Sequence, residues 1–107
     1  MKVIWLSGVR QALKETVAYG KEVFGEKAAR NFWSDVYSYD AYLASYPYLG
    51  RIEESLAGLP FVYRSIVVHQ HYKLIYRVDE DAQTVYIAAL WDTRRNPNEM
   101  KSTMQSQ

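Results

Sequence analysis

The chain has no cysteine, only two histidines, three prolines and five glycines, and almost no excess charge. Without cysteine, a disulfide framework and a thiolate metal site are both excluded. Thirteen basic against twelve acidic residues give a net charge of +1. The overall balance therefore does not argue for nucleic acid, whose binding domains are markedly basic. A long hydrophobic run is also missing. Met1 to Leu6 is apolar but breaks at Ser7-Gly8-Val9-Arg10, too short for a signal-peptide core or a membrane span. These absences predict a soluble, cytoplasmic protein with no membrane partner.

What is present suits one globular domain over residues 1–107, with 49% hydrophobic residues to build one core. Ten tyrosines and three tryptophans are a heavy aromatic load, and such residues dominate cores and interfaces.

Periodicity divides the chain in two. Residues 3–6 read as a short strand. Ser7 is placed to cap a helix over residues 8–24, with Val9, Leu13, Val17 and Phe24 at helical spacing. Gly25 ends it, and Glu26 starts a second helix that runs to about residue 44. Its stripe is Ala29, Phe32, Val36, Tyr39 and Leu43, and the two helices form a hairpin. Pro47, Gly50, Gly58 and Pro60 make residues 46–60 irregular, with one helical turn expected over 51–56.

Three β-rich runs follow, at residues 61–68, 72–78 and 84–90. In the first, Phe61, Tyr63, Ser65 and Val67 share one face and Val62, Arg64, Ile66 and Val68 the other. In the second, Tyr72, Leu74, Tyr76 and Val78 oppose Lys73, Ile75 and Arg77. The wholly uncharged sets are expected to face the helices, leaving the charged face open. The predicted fold class is α+β, a helical hairpin packed on a mostly antiparallel four-stranded sheet.

The order of strand, helical hairpin, Pro/Gly loop and meander, with Arg64, the run Tyr72-Lys73-Leu74-Ile75-Tyr76-Arg77-Val78 and the end at Arg94-Arg95, resembles the RelE/ParE superfamily of toxins from type II toxin–antitoxin modules. The resemblance covers nearly the whole chain. It implies a growth-inhibiting toxin with a cognate antitoxin as partner, of the kind associated with plasmid stabilisation. RelE-like members are ribosome-dependent endoribonucleases that cut messenger RNA; ParE-like members poison DNA gyrase. A degenerate member would bind antitoxin only. No cofactor and no metal is implied.

Cleavage by 2′-hydroxyl attack needs a base, an acid and cations for the phosphorane charge. Arg64, Arg77 and Arg95 are the catalytic candidates, and Arg64, Lys73, Arg77, Trp91, Arg94 and Arg95 the target-binding candidates. A solvated, solubilising role is the competing reading for each cation, and a place at the core edge for Trp91. His69 and His71 lie in a hairpin turn, away from the other cations, with no third ligand near in sequence. RNA-cutting members tend to line the open face with several cations, and many carry a histidine near the end of the last strand and a tail tyrosine. Here Ile66 and Val68 take the positions beside Arg64 on that face, Trp91 stands near the histidine's place and no tyrosine follows Tyr86. The reading therefore leans to ParE-like gyrase inhibition.

Overall fold

Helical spacing does place Val9 and Leu13 of the first helix, and Ala29, Phe32 and Val36 of the second, in the interior. The computed structural model describes residues 1–105. Strand β1 (Lys2–Trp5) leads into helix α1 (Ser7–Phe24), then α2 (Glu26–Tyr37) and α3 (Tyr39–Ser45). A two-residue strand β2 (Arg51–Ile52) and a 3₁₀ turn (Glu54–Leu56) follow. The meander is β3 (Tyr63–His69), β4 (Tyr72–Asp79) and β5 (Thr84–Asp92), and α4 (Asn98–Gln105) closes the described chain.

The sheet order is β1-β5-β4-β3-β2, with β1 parallel to β5 and the other pairs antiparallel. The α+β class is as predicted, but the sheet has five strands rather than four. Part of the helical turn expected over residues 51–56 is the extra strand β2.

Three local expectations are corrected. Leu6, not Ser7, is the N-cap of α1; its carbonyl accepts from the N–H groups of Val9 and Arg10. Phe24 is 71% exposed, so its place on the helical stripe does not make it part of the core. The second helix breaks at Ser38, whose hydroxyl donates to the Asp35 carbonyl at 2.7 Å. Such back-bonding competes with the helical ladder and bends it. Gly25 does end α1, at φ 92°, a conformation that side chains resist.

The sheet is covered on both sides. On the helical side Trp5, Leu43, Val68, Leu74, Tyr76 and Ile87 join the helix stripes in the main core. On the other side Leu56, Ile75, Ala88, Ala89 and Trp91 pack with Met100 and Met104 of α4. The sequence left that second face open; α4 and the 3₁₀ turn cover part of it. The face expected of β3 is inverted as well. Register pairs Arg64 with Tyr76 and Ile66 with Leu74, so the charged set of β3 lies on the helical side. A β-bulge at Ala88, where Ile75 pairs Ala89 and Tyr76 pairs Ile87, keeps Ile87 and Leu90 on that side despite odd spacing.

Candidate functional site

The candidate cations divide according to what holds them. Arg64, beside the sheet edge, donates to the Gly50 carbonyl at 2.9 Å, and its guanidinium lies 4.9 Å from the Tyr48 ring centroid. The Gly50 N–H donates to the Tyr76 hydroxyl at 2.7 Å. A Cβ at Gly50 would stand 2.6 Å from the Ser65 carbonyl oxygen and 2.9 Å from the Tyr76 ring, so only glycine fits. Burial pushes the Tyr76 phenol up, against partial relief from the Gly50 N–H and the Arg64 charge. Arg64 thus pins the irregular loop to the sheet. It does not share a face with Lys73 and Arg77, and the expectation that Ile66 and Val68 line an open face falls with it.

Lys73 is withdrawn from solvent. Its ammonium pairs with Glu53, and the two side chains are 15% and 7% exposed. Glu53 also accepts from the Ser65 hydroxyl at 3.0 Å and the Ser55 N–H at 3.4 Å. Burial raises the Glu53 carboxyl, but the Lys73 bond and charge, with Ser65 and Ser55, outweigh it and hold the group below its ordinary value. Lys73 thus forms a largely buried ion pair within the chain.

Trp91 is 2% exposed and packs with Met100 and Met104 of α4, the core-edge place that was its competing reading. Arg95 lies 4.2 Å from the Trp91 ring centroid and pairs with Glu99 at 3.2 Å. Arg94 grips Asp92 through two bonds, Nε to Oδ1 at 3.0 Å and a terminal nitrogen to Oδ2 at 2.8 Å. That bond first, then the Arg94 backbone N–H and charge, hold the Asp92 carboxyl down at about 2 against burial. Both arginines are about half exposed or more.

Arg77 is different. Its guanidinium carbon lies 4.0 Å from the Phe61 ring centroid and 4.3 Å from that of Tyr86. His69 contacts Asp35 through Nδ1 at 2.7 Å and Phe32 edge-on, tying the β3–β4 turn to α2. Its ring is thus engaged in holding two elements together.

The structure therefore does not gather the six candidates into one site. Arg64 locks a loop, Lys73 and Trp91 are interior, Arg94 and Arg95 sit on a strand end beside acids, and Arg77 stands between rings. The sequence reading missed Gly50, Glu53, Phe61 and Tyr86. Of these, Gly50 carried a signal, as the glycine of a Pro/Gly loop.

The sequence profile described as the ParE toxin of the type II toxin–antitoxin system, parDE, matches residues 3–97. Among solved structures, a chain titled "Chromosomal ParDE TA system from P. aeruginosa" superposes with a TM-score of 0.67 at 14% identity. The match covers 84% of this chain and 92% of that one, and is a likeness of fold. No curated protein matches.

Proposed function

The chain belongs to the ParE toxin family of type II toxin–antitoxin systems, and from that premise we propose that it arrests growth by engaging DNA gyrase through protein contacts. It is a RelE/ParE superfamily toxin, and its module supplies an antitoxin partner. The observation that carries the finer reading is the Glu53–Lys73 pair, withdrawn from solvent at 7% and 15% exposure. Glu53 places a negative charge where an RNA-cutting site would gather positive charge, and a phosphorane gains nothing from a cation already neutralised. α4 also packs on the sheet beside it, through Met100 and Met104. RNA cleavage by the RelE-like route is the reading this disfavours.

No helix among the described residues is long and apolar enough to cross a membrane. The antitoxin is proposed to cover the helical hairpin, where Trp33 and Tyr37 stack with ring centroids 5.5 Å apart and are 43% and 51% exposed. An extended or helical segment that folds on binding suits such a surface.

The test is induced expression in a bacterial host without the adjacent gene. Growth should stop, chromosomal DNA should break, messenger RNA should stay intact, and co-expression of the adjacent gene should restore growth. Normal growth at verified soluble expression would favour a degenerate member, and messenger RNA cleavage without DNA breaks an endoribonuclease.

A further inference from the structure

Lys73, Arg94 and Arg95 each meet a carboxylate, whereas Arg77 meets none among the described residues. Its charge is instead framed by two rings, one from β5 and one from the segment that leads into β3. Tyr86 is its register partner on β5, and Phe61 stands just before β3. Phe61 is in turn set edge-on against Tyr63, with centroids 6.4 Å apart and planes at 89°. α4 packs on Ile75, Ala88, Ala89 and Trp91 of this face, while Phe61, at the Arg77 end, remains 50% exposed. The result is a half-buried guanidinium whose side chain is already ordered and whose charge is unpaired.

Rings packed against a guanidinium leave its N–H edges as the donors open to a ligand. Those edges match a planar carboxylate through two parallel bonds. Ordering the side chain in advance reduces the entropy lost on binding. A polyanion is a poor match here. Asp79 lies two residues along β4 on the same face, and Glu80 and Asp81 follow it. A nucleic-acid backbone laid across Arg77 would meet these acids, whereas one carboxylate on an apolar segment would fit between the rings.

We infer that Arg77, framed by Phe61 and Tyr86, is a receptor for one Asp or Glu side chain of a protein partner, presented between apolar residues. This rests on the reading of the chain as a toxin that works through protein contacts, and it names the chemistry of one such contact.

The test follows the arginine Nε–Hε signals of the full isotope-labelled chain by NMR. The probes are acetyl-Leu-Glu-Leu-amide, its Gln counterpart and a short oligothymidylate. The Glu peptide should shift the Arg77 signal saturably, and the Gln peptide should bind about tenfold more weakly, as expected for loss of a charge-assisted bond. Phe61→Ala and Tyr86→Ala, each checked for folding by its amide spectrum, should weaken the response, and Arg77→Gln, which removes the charge, should lose the preference for Glu over Gln. Equal binding of the Glu and Gln peptides, no shift with any probe, or a stronger response to oligothymidylate would each overturn the receptor. Gyrase-dependent DNA breaks with a silent Arg77 signal would sink the receptor and leave the gyrase reading standing. A peptide response without DNA breaks would do the reverse.

Discussion

At Gly50 a single added methyl group would collide with the Ser65 carbonyl oxygen and the Tyr76 ring. Gly50→Ala should therefore destabilise the fold by about 1–3 kcal/mol, the range for overpacking, as read from the urea midpoint. Tyr76→Phe leaves the Gly50 N–H buried without its partner and should cost about 1–3 kcal/mol in the same experiment. The Glu53–Lys73 pair behaves differently. Glu53→Gln strands a buried ammonium and should cost about 3 kcal/mol, whereas replacing both residues by Leu and Met should recover most of that loss. Proton linkage adds a sign. Asp92 is held down at about 2 and Glu53 below its ordinary value. Their contributions are therefore present above the unfolded carboxylate values and are lost as pH falls through the folded ones. Stability should decline from about pH 5 toward pH 2, and less steeply in Asp92→Asn. Because Arg94 is 62% exposed, salt should shrink the Asp92 part.

Among the elements, the N-terminal helical hairpin and the three long strands were legible because their patterns are local. Val9 and Leu13, or Leu74 and Tyr76, announce their faces within one turn or one pleat. The face of β3 was not legible from charge. Arg64 lies on the helical side because its stem carries the guanidinium to the Gly50 carbonyl and the Tyr48 ring. The break at Ser38 depends on one hydroxyl turning back to Asp35, which periodicity does not report. Helix α4 did leave a signal that the reading passed over. Asn96 accepts from the Asn98 N–H, Pro97 precedes the first turn, and Met100 and Met104 fall four apart. Met100, 1% exposed, seals the second core over Trp91. Met100→Ala should cost about 2–5 kcal/mol in urea unfolding. A cost under about 0.5 kcal/mol, the range of surface changes, would mean that α4 does not hold the sheet.

Taken whole, the molecule carries a net charge of +1, and four of its five candidate cations, Arg64, Lys73, Arg94 and Arg95, meet partners within the chain. The family was legible from the order of elements and the arginine-bearing strands. The site was not, because partnership is a long-range property: Glu53 reaches Lys73 across 20 positions, and Arg64 reaches Gly50 across 14. The proposed function is action on gyrase through protein contacts, without RNA cleavage. Its most direct test gives the purified chain, in parallel, to DNA gyrase with supercoiled plasmid and to ribosomes translating a defined message. Gyrase-dependent linear DNA and an intact message are the expected outcome. Site-specific cleavage of the message on ribosomes, with the plasmid unbroken, would contradict it.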